Sequence, residues 1–295
     1  MRKFLLCSLL LLLPVACLLQ AQTIKISVQK GQQYKVETFA QMINSMDSSQ
    51  TTIPKNMIEG ILDFFLETTT TDIVRVIRLS KNEIELESTR TRITSRTKMM
   101  GKETISDTDK KEGNDTITRK SEKIIIDYNG IIIKSEKPEK IKGFASENAW
   151  MFSGSDEKTD LFVPEFIGKE IKEGYSFPVA ASFSKEKPST SFSLNKETVS
   201  IADTGTYTID SVRNGIASIS YTGIQAITMQ MKMGTELITT ISKSIGRSNF
   251  RVDINSGIVI SRTTTEESVA KPGDNDPANT QSYKSTTTKK ITLLE

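Results

Sequence analysis

TYTIDSVRNGIASISYTGIQAITMQMKMGTELITTISK, residues 206–243, is the stretch whose reading decides the fold. Tyr207, Ile209, Ile219 and Tyr221 alternate with polar residues on either side of Asn214-Gly215. Period-two alternation around an Asn-Gly pair predicts two antiparallel strands and a tight turn, and TELITTISK predicts a third strand. A weaker copy stands earlier, DIVRVIRLSKNEIELESTRTRITSRTKMMGKETISDTD at 72–109. There Ile84, Leu86 and Ser88 share one face while Glu83, Glu85 and Glu87 share the other, the pattern of a sheet with one wet and one buried side.

The rest of the chain follows the same rhythm. TIKISVQKGQQYKVETFAQMI (23–43) predicts two strands joined at Gly31, from the alternation of Ile24, Ile26 and Val28 and then of Tyr34 and Val36. IIIDYNGIIIK (124–134) predicts a hairpin, with Asn129-Gly130 in a type I′ turn. Turn residues recur in order through the two halves: Gly31 and Gly174, Asn82 and Asn214, Gly101 and Gly234, Gly130 and Gly257. Their nearly constant spacing predicts an internal duplication. The expected fold is therefore all-β and mainly antiparallel, two similar curved-sheet modules with a short, partly helical connector. The first module covers 22–134, the connector 135–165 and the second module 166–295.

Residues 1–21 read as a signal peptide: Arg2 and Lys3 precede an apolar run to Leu19, and no second long apolar segment follows. Two processing sites compete. Cleavage after Ala21 gives simple secretion, whereas PVAC (14–17) resembles a bacterial lipobox in which Cys17 would be lipidated. The expected location is the periplasm or outer envelope, with no transmembrane span in the mature chain. Cys7 and Cys17 are the only cysteines, so removal of the leader to Ala21 leaves no disulfide to form.

Charge and composition narrow the chemistry. Without Arg2 and Lys3, the basic residues outnumber the 36 acidic ones by a single charge, and both signs are interspersed, which argues against a nucleic-acid groove. The chain has no histidine, which removes His-based acid–base catalysis and His-ligated zinc. Ser182-x-x-Lys185 and Ser184-x-x-Lys187 match a Ser/Lys pattern, but in a strand rather than the helix that pattern needs. Asp107 with Asp109, and Asp274 with Asp276, lack the remaining ligands of a calcium loop. An outer-membrane barrel is disfavoured because aromatics make up only 6% of residues and outward positions carry Lys, Glu, Arg and Thr.

Met229, Met231 and Met233 lie at strand spacing and offer an adaptable apolar lining, and Trp150 is the single tryptophan. These four are the candidate ligand-binding residues, against the plainer reading as core. The expected function is non-enzymatic: an envelope protein that binds a lipid, another apolar ligand or a protein partner on a curved sheet, without a cofactor. A structural or assembly role, and last a hydrolase built on carboxylates, are the alternatives.

KGQQYKVE (30–37), VPEFIGKEIKEGYSF (163–177), TGTYTIDSVRNGIASISYTG (204–223) and VDINSGIVISR (252–262) together resemble a family of exported β-rich envelope proteins of Gram-negative bacteria, a domain of unknown function. The matching positions are Gly31, Tyr34, Pro164, Gly174, the three methionines, Asp253 and Gly257. The chain departs from the family pattern at Tyr175-Ser176-Phe177, where an Asp-Ser-Trp-like element is more usual. The resemblance implies export and a β fold and carries no activity with it.

Overall fold

A computed structural model describes residues 22–46, 65–99, 101–107, 121–136, 161–188, 196–233, 236–272 and 281–294. Fourteen strands run through them: β1 Gln22–Thr23, β2 Gln33–Met46, β3 Phe65–Leu79, β4 Glu83–Met99, β5 Lys102–Asp107, β6 Ser121–Asp127 and β7 Ile132–Glu136, then β8 Glu170–Ile171, β9 Ser176–Pro188, β10 Lys196–Arg213, β11 Ile216–Met233, β12 Glu236–Asp253, β13 Val259–Pro272 and β14 Gln281–Leu294. Among the described residues the only helical turn is the three-residue 3-10 turn Pro164–Phe166, and most of the expected connector, 137–160, lies outside the described residues.

Twelve strands form one sheet rather than two. Its order is β7-β6-β4-β3-β2-β14-β13-β12-β11-β10-β9, with β5 paired to β4. The halves meet where β2 pairs antiparallel with β14, from Gln33 opposite Leu294 to Met46 opposite Gln281. Among the described residues β7 and β9 are the two ends of the order.

The sheet is curved, and the core explains why. One apolar cluster takes residues from both ends of the order: Ile84, Leu86 and Ile126 from β4 and β6, Phe177 and Tyr207 from β9 and β10. Eleven strands laid flat would span roughly 50 Å at the usual interstrand spacing, too far for one cluster. Two segments fill the enclosed end. In the first, Ile24 and Ile26 are buried, and in the second, Leu161, Phe162 and Phe166 are each 1% exposed. A β-carbon on Gly130, at the β6–β7 turn, would stand 3.5 Å from Phe162, while the Phe166 ring reaches Phe177 on β9 at 6.4 Å. The plug thus spans both edges.

The alternation at 23–30 therefore does not make a second strand of the main sheet. Only Gln22 and Thr23 pair, with β8, and Ile24 bridges Ile167 in parallel. Beyond them the backbone bonds outward to loops: the Ser27 N–H donates to Ser256 O at 3.1 Å, and the Gly168 N–H donates to Ile24 O at 2.8 Å. Alternation reports one buried face, and an extended segment laid over the end of a sheet has one as well.

Two sites share a hydrogen-bond pattern. Gly31 donates to Val76 O and Val76 donates to Gln32 O; Gly174 donates to Ile209 O and Ile209 donates to Tyr175 O, all at 2.8–2.9 Å. A bulge follows each site, shifting the register from Val76–Leu86 to Arg78–Glu85 and from Ile209–Ile219 to Ser211–Ser218. Bulges bend and twist a strand, so the same local curvature is imposed twice.

The turns depart from expectation at one point. Asn214 and Gly215 have φ of +52° and +76°, the left-handed pair that a type I′ turn requires. At Asn129-Gly130 only Gly130 is left-handed, at +79°. Tyr128 lengthens that loop, and the Asp127 carboxylate holds it by accepting from the N–H groups of Asn129 and Ile131 at 2.9 and 2.8 Å. Asp253 accepts from the Asn255 N–H in the same way at 2.9 Å.

Candidate functional site

The strands run well beyond the plug, and their inner face changes character as they do. Next to the plug it is aromatic. The Phe166 ring stands edge-on to Tyr207 and Phe250 at 4.9 and 5.2 Å, and Tyr207 packs on Tyr221 at 4.7 Å. Edge-on contact sets the positive rim of one ring against the negative face of the next, which favours this arrangement over a stack.

One step further, three glycines lie side by side across the sheet, Gly205 opposite Gly223 and Gly223 opposite Gly246. The Tyr221 ring fills the furrow they leave. A β-carbon on Gly205 would fall 2.3 Å from that ring, and one on Gly246 a comfortable 4.0 Å. The Tyr221 hydroxyl donates to Asp203 at 2.7 Å. Burial first, and then the bond to Asp203, push the Tyr221 phenol well above its usual range; burial and the nearby Glu165 carboxylate do the same to Tyr207, with Arg262 opposing. Both stay hydroxyls at any physiological pH.

The first half places an ion pair where the second has glycines. Asp72 is 6% exposed, and Arg90 opposite it donates from Nε at 2.8 Å and from Nη2 at 3.3 Å. Hydroxyls continue the inner face beyond. Ser244, Ser248 and Ser268 are buried, and Ser248 shares a hydrogen bond of 2.8 Å with Thr264. The inner surface is therefore aromatic at the floor and polar above it.

On the outer face Ile224 and Ile245 oppose each other and are 55% and 48% exposed. Nearby, an open depression of about 500 Å³ lies at the β9 edge, lined by Pro178, Val179, Ala180, Thr204, Gly205 and Thr206.

Met229, Met231 and Met233 occupy alternate positions of β11, the first two opposite Val199 and Glu197 of β10 and the third opposite Glu236 of β12. Their side chains lie outside the described residues, as do Trp150 and Cys17 entirely. Tyr207, Tyr221, Phe250, Asp203 and Arg262 were not among the candidates read from the sequence. One signal was present: TGTY (204–207) and YTG (221–223) mirror each other about Asn214-Gly215, which sets Tyr against Tyr and Gly against Gly.

Two carboxylates of the inner face are held by side chains, Asp72 by Arg90 and Asp203 by Tyr221. Asp107 is bound by Arg92 at 2.9 Å, and Asp109, Asp274 and Asp276 lie outside the described residues. No three metal-ligating side chains converge among the described residues, and no helix among them is long and apolar enough to cross a membrane.

Comparison of the sequence with protein families and with curated proteins finds no match. Among solved structures, the chain is similar to OmpF of Salmonella typhi in complex with daunomycin, at 4% identity, with 91% of this chain and 100% of that chain covered and a TM-score of 0.30. It is also similar to OpdK of Pseudomonas aeruginosa with vanillate, at 5% identity, with 90% and 99% covered and a TM-score of 0.20. Overlaps this low support no common architecture.

Proposed function

We propose that the protein is a non-enzymatic, exported envelope protein that holds an apolar or amphipathic molecule on the inner face of its curved sheet. The observation that carries this reading is the length of that face beyond the plug, where it passes from aromatic to hydroxyl side chains. β10, β11 and β12 each run for 18 residues, yet the plug covers only one end of them, and its aromatic surface continues into the glycine furrow. Concave, largely apolar surfaces with a few placed polar groups are the usual form of a small-molecule site. The pairing of Asp72 and Asp203 favours binding over hydrolysis at those two positions, because a carboxylate fixed to a guanidinium or a phenol is poorly placed to activate water.

The repeated glycine bonds and bulges favour descent from a duplicated unit, with β2–β7 and β9–β13 as its copies and β14 joining them. Export rests on the leader, and the family resemblance on the motifs quoted for it.

Native mass spectrometry of protein purified from the envelope tests the reading. The expected spectrum contains the polypeptide plus a small dissociable mass, and it also reports whether Cys17 is acylated. A bare polypeptide under gentle ionisation would count against a retained ligand.

The β9 edge, with the exposed Ile224–Ile245 pair two and three strands in from it, favours a second reading, assembly with another envelope protein through strand addition. Site-specific crosslinking from Ser182 on β9 in cells would capture that partner, and labelling of no protein there would remove the reading.

A further inference from the structure

The chain contains two Asn-Gly pairs, Asn129-Gly130 and Asn214-Gly215, and the fold holds them differently. In such a pair the glycine amide nitrogen can attack the side-chain carbonyl carbon of the asparagine, because glycine brings no β-carbon to hinder the approach. Both asparagines are exposed, so solvent reaches both. What separates the two sites is the state of the attacking nitrogen and of the amide that must leave.

The β6–β7 turn ties both down. The Gly130 N–H donates to Asp127 O at 3.0 Å, and Gly130 itself is buried. The Asn129 side-chain amide donates to Asp127 Oδ2 at 3.1 Å. Nitrogen and side chain must each give up a hydrogen bond before they can meet. The β10–β11 turn holds neither group. Asn214 and Gly215, both left-handed, link Arg213 to its partner Ile216. Among the described residues the Gly215 N–H donates to no acceptor and the Asn214 side chain makes no hydrogen bond. Gly215 is fixed instead by its carbonyl, which accepts from the Ile254 N–H at 3.0 Å.

We propose that Asn214 is a site of spontaneous deamidation and that the Asp127 turn protects Asn129 from the same reaction. The Gly215 nitrogen gives its proton to hydroxide and bonds to Asn214 Cγ; the Cγ–Nδ2 bond breaks, ammonia leaves, and a succinimide closes. Water then opens the ring at either carbonyl, leaving aspartate or isoaspartate at 214. The isoaspartyl product routes the main chain through Cγ and so adds a carbon to a two-residue turn that sets the Arg213–Ile216 register. That turn is bonded to Ile254, only 6% exposed, and the loop after Ile254 accepts from the plug, Ser27 N–H to Ser256 O at 3.1 Å. Conversion at Asn214 therefore strains the end of the sheet that the plug closes. The inference stands apart from any bound ligand.

Incubation of the folded mature protein in mildly alkaline buffer, followed by peptide mass spectrometry, tests this. Asn214 is expected to convert about tenfold or more faster than Asn129, the worth of the hydrogen bonds that hold the second site. In urea the two rates should become equal. Asp127→Ala removes the bond to the Asn129 side chain, and it should raise the Asn129 rate roughly threefold to tenfold while leaving Asn214 unchanged. Equal rates in the folded protein, or an Asn214 rate well below its value in urea, overturn the proposal. A difference that persists in urea overturns it too, by placing the cause in the flanking sequence rather than the turns. Thermal melts accompany Asp127→Ala; if that variant does not fold, the folded and urea rates of wild type decide alone.

Discussion

The Tyr221 ring crosses Gly223 so closely that a β-carbon on that glycine would come within 2.0 Å of the Tyr221 hydroxyl oxygen. The ring has no other place that keeps both its bond to Asp203 and its contact with Tyr207. Gly223→Ala is therefore expected to lower stability by about 2–4 kcal/mol, through overpacking and loss of the hydrogen bond. Gly246→Ala is the control. Its added methyl meets only a 4.0 Å contact, so urea unfolding should find it neutral or slightly stabilising. Equal losses for the two variants would refute the furrow as the cause.

Arg90 and Asp72 carry a second prediction. Arg90→Leu leaves a carboxylate that is 6% exposed facing an apolar side chain. The expected loss is about 2–3 kcal/mol, at the low end for a broken buried pair because the Arg90 side chain is itself 42% exposed. Asp72→Gly with Arg90→Gly, which copies the glycines of the other half, should recover less than Asp72→Leu with Arg90→Leu. Chemical denaturation of all three variants measures the difference.

Tyr34 makes stability depend on pH at the alkaline end. Burial, and then the Asp253 carboxylate, raise its phenol to about 12. The unfolded chain releases this proton near pH 10, so the stabilisation is complete below that pH and is lost as pH rises towards 12. The loss amounts to about 2–3 kcal/mol. Unfolding curves at pH 9, 10.5 and 11.5 should show it, and Tyr34→Phe should make the dependence shallower, Tyr207 and Tyr221 supplying what remains. A Tyr34 that ionises near pH 10 in a spectrophotometric titration of the folded protein would contradict this.

Gly31 and Gly174 play one role in the two halves. Their φ values are +91° and +80°, and a β-carbon on either would meet nothing within 4 Å. Backbone strain alone then sets the penalty, and Gly31→Ala and Gly174→Ala should each cost about 1–2 kcal/mol. A large inequality between the two, measured by thermal unfolding, would show that the sites are not equivalent.

Much of this fold was written locally. Ile84 and Leu86 alternate with glutamates and are buried as that alternation requires, and Asn214-Gly215 makes the turn its chemistry prescribes. The errors arose where a local pattern has two long-range solutions. Ile24 and Ile26 alternate as a strand does, yet they belong to a plug whose partners are Ile167 and Ser256. Asn129-Gly130 lost its type I′ geometry to Asp127, whose carboxylate offered the backbone another set of bonds. The candidate site was less legible still. Phe166, Tyr207 and Phe250 meet only because a sheet curls, and no window of sequence contains all three. Met229, Met231 and Met233 are legible because they stand at alternate positions of one strand; the Arg262–Phe250 contact joins side chains on neighbouring strands.

The pairing of β2 with β14 has a consequence for how the molecule comes into being. Each hydrogen bond of that ladder closes a loop of nearly the whole described chain, and the entropy of that closure precedes any reward from it. Pairings so distant in sequence slow folding. Until β14 has been synthesised, β2 presents an unsatisfied flank, a template on which two nascent chains can pair with each other instead. Yield of native protein should therefore fall with concentration during refolding more steeply than stability alone would dictate, and holding β2 apart until the chain is complete becomes a requirement of biogenesis.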